Sequence, residues 1–148
     1  MIEPVFRAGE TFPCAQNISK EDAHHYWVEP PRATYVAVDN DGTILGSYYI
    51  RPNQPALGAH VCNCGYIVAE AARGQGVASA LCQHSQAQAL ELGFTAMQYN
   101  LVVATNEAAV HIWKKNGLEI IGTLPGAFRH PRLGLVDAYV MYKTLDGT

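Results

Sequence analysis

The chain has 148 residues, of which 49 % are hydrophobic and 16 % are charged, and its formal net charge is −3 at neutral pH. This composition is typical of a globular protein, and the length suits a single domain over residues 1–148. The sequence has no evident basic face, so we expect no nucleic-acid partner. Its apolar runs are too short to span a membrane, so we expect no membrane partner. The four cysteines have neither disulfide nor zinc spacing, so we expect reduced thiols, no metal, and a cytoplasmic location.

The predicted elements alternate between helices and strands along the chain. Ser19 is a favoured N-cap residue for the first helix, and Pro30 and Pro31 break the chain after it. Runs rich in β-branched residues indicate strands, and the Asp39–Gly42 turn indicates a hairpin between the first two of them. The predicted elements are, in chain order, a helix at 19–27, strands at 34–38, 43–51 and 60–68, a helix at 77–92, a strand at 96–103, a helix at 106–116, and strands at 118–123 and 135–143.

Two segments are not predicted to form regular structure. Residues 1–13 mix turn formers with apolar residues and stay unassigned. Residues 124–134 are rich in Gly and Pro, which predicts a loop between the last two strands. The order of elements predicts an α/β (α+β) fold with a mixed, mostly antiparallel sheet flanked by helices. A right-handed parallel crossover through the helix at 77–92 fits the middle of this sheet.

The most informative segment is the turn Arg73–Ala78, which reads Arg-Gly-Gln-Gly-Val-Ala. It follows a strand-like run and opens a helix rich in Ala, Leu and Gln. A glycine-bearing turn at a helix N-terminus points several backbone N–H groups at one spot, and these donors favour a phosphate. The glycines also let the backbone approach a ligand closely. The segment therefore indicates a phosphate site, and an ordinary strand-to-helix turn is the alternative.

Two motifs in this order resemble those of the GCN5-related N-acetyltransferase (GNAT) superfamily. Its acetyl-CoA loop has Arg or Gln, two residues, Gly, one residue, and then Gly or Ala, and Arg73, Gly76 and Ala78 stand at those places. The resemblance covers residues 35–145 and implies the GNAT fold, in which a central strand pair splays apart to admit acetyl-CoA. The second motif is matched here by Asn106, Ala109, Trp113, Gly117 and Leu118.

The resemblance implies roles for the central strand, the turn and the second long helix. In the family, pantetheine pairs with the splayed strand, and a backbone N–H near Ile67 or Val68 polarises the thioester carbonyl, so Val68 is a catalytic candidate. Asn106 is either a cofactor contact or only a helix N-cap. Many members carry a proton-donating Tyr where this chain has Trp113, whose indole is not a useful acid at neutral pH. The implied cofactor-binding residues are Tyr66, Ile67, Val68, Arg73, Gly74, Gln75, Gly76, Val77, Ala78, Asn106 and Trp113.

The resemblance extends to a branch of small-molecule acetyltransferases that includes fungal enzymes acting on proline analogues such as azetidine-2-carboxylate. The shared segments are His60–Asn63, 100–102 and 136–138. In that branch two asparagines hold the substrate carboxylate, which implies Asn63 and Asn100, with Leu101, as substrate-binding residues. Each amide could instead be a bracket within the sheet. The acceptor amine would profit from a base, for which the candidates are His60 and His130, although each could be structural.

The predicted activity is acetyl transfer from acetyl-CoA to the amine of a small molecule, such as an amino acid or analogue, by direct attack in a ternary complex. Three alternatives stay open: acetylation of a protein N-terminus, a non-catalytic acyl-CoA-binding module, and a Rossmann dinucleotide binder. The last is disfavoured because Ser79 stands where that pattern continues with glycine. The family usually begins with a strand and a longer helix, so we expect either that these elements are shortened here or that the native start lies upstream. An open edge or apolar face there would favour a homodimer.

Overall fold

The computed structural model describes residues 1–29 and 33–146. No helix in these two ranges combines the length and the apolar character that a membrane crossing requires. Short 3₁₀ turns lie at Ala56–Gly58 and Glu70–Ala72. The helices are α1 (Ile2–Ala8), α2 (Lys20–Trp27), α3 (Val77–Glu91) and α4 (Glu107–Lys115), and the strands are β1 (Ala33–Val38), β2 (Ile44–Pro52), β3 (Val61–Val68), β4 (Ala96–Val103), β5 (Glu119–His130) and β6 (Gly134–Thr144).

The strands form one sheet in the order β1-β2-β3-β4-β6-β5. Neighbours are antiparallel except β3 and β4, which are parallel and connected through α3. The β3–β4 ladder contains only the pairs Val61–Ala96 and Cys62–Met97, after which the two strands separate. The mixed α/β sheet and its splayed central pair confirm the predicted fold class.

Hydrophobic side chains cover both faces of this sheet. On one face, α3 and α4 pack over a core that includes Tyr48, Cys62 and Met97. On the other face, Phe6 of α1 and Trp27 of α2 pack against Tyr49 and Ile67. Because β3 alternates its side chains between these faces, it supplies residues to both cores.

The predicted helix starts are confirmed at two caps. The Ser19 hydroxyl accepts a hydrogen bond from the backbone N–H of Asp22 at 3.0 Å. The Asn106 side chain accepts one from the N–H of Ala109 at 3.4 Å. Helix α2 ends at Trp27, and the break predicted at Pro30 and Pro31 lies outside the described residues.

Two expectations differ from the structure. The unassigned N-terminal segment forms α1, which is held by the packing of Phe6 against Phe12 and Trp27. The loop predicted at 124–134 is wrong, because β5 continues to His130 and β6 begins at Gly134. The pairing register shifts between Leu124 and Phe128, so a bulge accommodates the turn-forming residues within the strand.

Candidate active site

The turn between β3 and α3 has the geometry of an anion site. Gly74 and Gly76 have φ values of 78° and 79°, the left-handed conformation that favours glycine. A Cβ at either position would meet nothing within 4 Å, so the backbone conformation, rather than lack of space, requires the glycines. The N–H of Ala80 donates to the carbonyl of Gly76 at 3.1 Å. The Arg73 N–H donates to the carbonyl of Glu70 at 3.2 Å, whereas the amides of residues 74–79 stay available to a ligand.

A cleft of about 640 Å³ opens beside this turn. Val68 lines it at the end of β3, Asn106 and Trp113 line it from the α4 side, and Val5 of α1 closes another wall. Five predicted cofactor residues of the turn line the same cleft, namely Arg73, Gly74, Gly76, Val77 and Ala78. The cleft is therefore large enough to take part of an extended ligand along α4.

Three predicted cofactor residues lie outside this cleft. The exposed Gln75 side chain donates to the carbonyl of Ala71 at 3.4 Å. Ile67 is buried in the core under α1 and α2, and Tyr66 lines a second, adjoining pocket. Beyond Cys62, the backbone edge of β3 has no ladder partner on β4. Ile67 and Tyr66 can therefore contact a ligand through the backbone groups of this edge.

The second pocket, of about 220 Å³, lies between the splayed strands and is called the acceptor pocket below. The predicted substrate residues Asn63, Asn100 and Leu101 all line it. Its other walls come from β2, from α2 and from residues 11–13. Four residues line both cavities and make them continuous: Thr11, Asn106, Ala109 and Trp113.

The two predicted substrate amides are in different states. Asn63 is 7 % exposed and lines the acceptor pocket, and its side chain makes no hydrogen bond within the described part of the chain. An amide that lines a pocket without a protein partner is available to hydrogen-bond a ligand there. The exposed Asn100 donates to the Oδ1 of Asn53 at 2.7 Å and accepts from the Nε2 of Gln98 at 3.1 Å. Of the two predicted substrate residues, Asn63 therefore has the side chain that is free to contact a ligand in this pocket.

A chain of hydroxyl groups crosses the gap between the splayed strands. The Ser85 hydroxyl of α3 donates to the carbonyl of Cys82 at 2.7 Å. Its single proton is thereby used, so the Tyr66 hydroxyl donates to Ser85 at 2.6 Å, and Tyr99 donates to Tyr66 at 2.7 Å. The side chains of β3 and β4 thus remain linked where their backbones have separated.

Burial keeps these phenols protonated. It raises the pKa of Tyr66 and the pKa of Tyr99 well above their ordinary value. The Trp113 ring lies with its centroid 4.7 Å from that of Tyr66 and covers the hydroxyl chain from α4. At neutral pH the two phenols therefore stay protonated, as the hydrogen bonds that link β3, β4 and α3 require.

The structure does not bring His60 to the site. His60 is exposed and precedes the N-terminal end of β3, and its carbonyl accepts from the N–H of Thr95 at 2.9 Å. It is eight residues before Val68, or about 26 Å along an extended strand. It lines neither the cleft nor the acceptor pocket. We therefore do not retain His60 as a candidate base.

The second candidate base, His130, is buried and holds the N-terminal wall of the cleft. Its Nδ1 accepts from the N–H groups of Arg132 at 3.1 Å and Leu133 at 3.2 Å, which places the ring proton on Nε2. That Nε2 is 3.5 Å from a carboxylate oxygen of Glu10, which also pairs with Arg132 at 3.0 Å. Glu10 lines the cleft. The Nδ1 lone pair, which a base would use, already accepts these two hydrogen bonds. His130 is thus a positioning residue for Glu10 rather than a base.

Sequence reasoning missed several residues that line the acceptor pocket. Thr11 and Phe12 belong to the segment left unassigned, and Tyr26, Tyr49 and Arg51 belong to elements that were predicted without a functional role. One signal was available for Arg51, because the predicted hairpin ends there and pairing with β3 places it opposite Asn63.

Comparisons with known proteins agree with this geometry. Residues 6–118 match the model of the acetyltransferase (GNAT) family. A GCN5-related N-acetyltransferase from Kribbella flavida is 44 % identical, with a TM-score of 0.91 over 97 % of this chain and 88 % of that one. The N-acetyltransferase aca1 of Schizosaccharomyces pombe is 26 % identical over 89 % of this chain and 71 % of that protein.

A more distant solved structure shares the fold. It is the phosphinothricin acetyltransferase of Sinorhizobium meliloti, solved in complex with acetyl-CoA, at 20 % identity and a TM-score of 0.68. The match covers 76 % of this chain and 60 % of that one. The family model spans most of the chain, and the glycine turn and splayed strands have the arrangement expected of it. The chain therefore belongs to the acetyltransferase (GNAT) family.

Proposed function

We propose that this protein transfers the acetyl group of acetyl-CoA to the amine of a small molecule, with an amino acid or analogue as the acceptor. The observation that carries the proposal is the continuity of two cavities. One begins at the amides of the glycine turn, and the other contains the unpartnered amide of Asn63. Where they meet, a thioester and an amine can occupy the space between Asn106 and Trp113 together, as direct attack in a ternary complex requires.

The cofactor half of the site matches the chemistry of coenzyme A. Its diphosphate would accept hydrogen bonds from the turn amides around Gly76, next to the positive end of α3. Pantetheine would pair with the free edge of β3 at residues 66–68. A backbone N–H of Ile67 or Val68 would then donate to the thioester carbonyl, and one such donor is worth about 3 kcal/mol in the transition state.

The acceptor amine must lose a proton without a carboxylate in its pocket. Deprotonation at pH 7 costs roughly 4.6 kcal/mol for an amine with a pKa near 10.4, and little more than about 1 kcal/mol for one near 8. Glu10 is the carboxylate among the residues that line the cleft, and it is paired with Arg132 and His130. We therefore expect water to take the proton, so that turnover rises with pH as the free amine becomes more abundant.

One of the two relatives has a name that specifies a small acceptor, which supports the proposal. The similar protein from S. pombe is an N-acetyltransferase, and that from S. meliloti is a phosphinothricin acetyltransferase. A cytoplasmic location and a homodimer remain predictions. Acetylation of a protein N-terminus is the alternative activity, and an acyl-CoA-binding module without turnover is kept open by Trp113 in place of the acidic Tyr.

A coenzyme A release assay distinguishes these functions. The purified protein is supplied with acetyl-CoA and, separately, with free amino acids, azetidine-2-carboxylate, phosphinothricin and short peptides. Release with free amino acids or the two analogues supports the proposal. Release with peptides alone would indicate acetylation of protein N-termini instead. Binding of acetyl-CoA in calorimetry, without release of coenzyme A for any acceptor, would indicate a binding module.

A further inference from the structure

The acceptor pocket has an uneven distribution of charge. Arg51 is the charged side chain among the residues that line it, and no Asp or Glu is among them. The tyrosines of the pocket are neutral, because burial raises the pKa of Tyr26 and the pKa of Tyr49. The pocket therefore presents one fixed positive charge to whatever enters it.

No carboxylate of the described residues pairs with Arg51. None of the ion pairs among residues 1–29 and 33–146 involves it. Its guanidinium carbon lies 5.5 Å from the centroid of the Tyr49 ring, and Tyr49 packs closely over Gly65. Because Tyr49 is only 3 % exposed, the aromatic ring that supports Arg51 is held in place.

Arg51 and Asn63 face the same space. They are paired across β2 and β3 in the antiparallel register, so their side chains project from the same face of the sheet. Arg51 supplies a cation with several donors, and Asn63 supplies an amide that lines the pocket without a hydrogen-bond partner among the described residues. A carboxylate can accept hydrogen bonds from both groups at once.

We propose that Arg51 determines acceptor specificity by binding, together with Asn63, a carboxylate carried by the amine substrate. This inference rests on the proposed function, since it concerns the acceptor half of the same site. The pocket would then select amines that carry an adjacent acid. It would disfavour polyamines, whose charge is repelled, and peptides, whose first carboxyl group is an amide.

The test compares an acid with its amide in wild type and in Arg51→Met. Azetidine-2-carboxylate and azetidine-2-carboxamide serve as probes, with coenzyme A release as the kinetic readout and calorimetry on the protein loaded with coenzyme A as the binding readout. We expect wild type to prefer the acid by about 10- to 100-fold in kcat/KM, as for one charge-assisted contact. Arg51→Met should remove most of this preference through the acceptor KM, while the KM for acetyl-CoA is unchanged.

Two further variants make the comparison specific. Arg51→Lys retains the charge without the planar fork, so it should retain part of the preference. Arg129→Met is the matched control, because Arg129 is exposed on β5 and lines neither the cleft nor the acceptor pocket. It should retain the wild-type preference for the acid.

The outcomes separate the two proposals. Turnover of acid and amide at equal efficiency by wild type, or an unchanged preference in Arg51→Met, overturns the role of Arg51 and leaves the acetyltransferase proposal standing. Binding of acetyl-CoA with neither turnover nor binding of either probe overturns the role of Arg51 for this acceptor class. If the wider acceptor panel also gives no turnover, the proposed function fails with it.

Discussion

Gly65 is the position where one added methyl group has a calculable effect on the acceptor pocket. A Cβ there would lie 2.4 Å from Cε2, 2.7 Å from Cζ and 2.9 Å from the hydroxyl of Tyr49. The Tyr49 ring cannot move away freely, because Trp27 packs against it with centroids 5.0 Å apart. Gly65→Ala therefore forces an aromatic ring to shift inside a packed core, which typically costs about 1–3 kcal/mol.

The matched control is Gly122→Ala on β5. A Cβ at Gly122 would meet nothing within 4 Å, and its φ is not in the left-handed region. We expect this control to change the free energy of unfolding by about 0.5 kcal/mol or less in urea. Gly65→Ala should lower the free energy of unfolding by about 1–3 kcal/mol and raise the acceptor KM, because Arg51 rests on the displaced ring.

A double-mutant cycle tests the cause. Tyr49→Ala removes the atoms that the new methyl group would meet, so adding Gly65→Ala to it should cost much less than in the wild-type background. Equal stability of the two glycine variants, or a cycle without coupling between Gly65 and Tyr49, would refute the steric explanation.

Three further changes test other parts of the site. Gly76→Asp should weaken acetyl-CoA binding at least about tenfold in calorimetry, because its carboxylate repels phosphate. Gly76→Ala is the control, since it has the same backbone strain at φ 79° without the charge; it should bind acetyl-CoA better than Gly76→Asp, and equal affinities would count against the phosphate site. Asn63→Ala should raise the acceptor KM by about 10-fold or more without changing the acetyl-CoA KM, and an equal effect on both would indicate a fold defect. Tyr99→Phe should lower the free energy of unfolding by about 1 kcal/mol in urea, because Tyr66 loses one hydrogen bond and keeps Ser85; no loss of stability would contradict the hydroxyl chain.

The cofactor half of the site could be predicted because its signals are local. The Arg73–Ala78 turn, the strand before it and the helix after it are contiguous, and each has its own sequence pattern. The N-cap of Asn106 is equally local. Such features depend on neighbours within one turn or strand, so a single sequence contains most of the information needed to find them.

The acceptor half could be predicted only in part because it is assembled from distant segments. Asn63 was found through a family resemblance, whereas the β2–β3 register brings Arg51 to the pocket and the docking of the N-terminal segment brings Thr11 there. His60 illustrates the opposite error. His60 is close to Asn63 in sequence, but it precedes β3, whereas the glycine turn of the cofactor half follows β3. The full length of the extended strand therefore separates His60 from that turn.

The bulged β5 strand was mispredicted for a physical reason. Pro and Gly at residues 125–126 indicate a turn when they are read locally, yet a bulge absorbs them within a long hairpin. The backbone N–H of Gly126 donates to the side chain of Asp137 at 3.0 Å, which replaces the lost ladder contact. Sequence patterns alone do not distinguish this arrangement from a loop.

The link between Glu10 and Arg132 joins positions that are 122 residues apart. Strand β6, the last described strand in sequence, also occupies an interior place between β4 and β5. On the ribosome, a nascent chain therefore cannot form the link to Glu10 until Arg132 has emerged from the exit tunnel, and it cannot finish its sheet until β6 has followed. Earlier translation intermediates expose unpaired β4 and β5 edges, and such edges are prone to aggregation until β6 covers them.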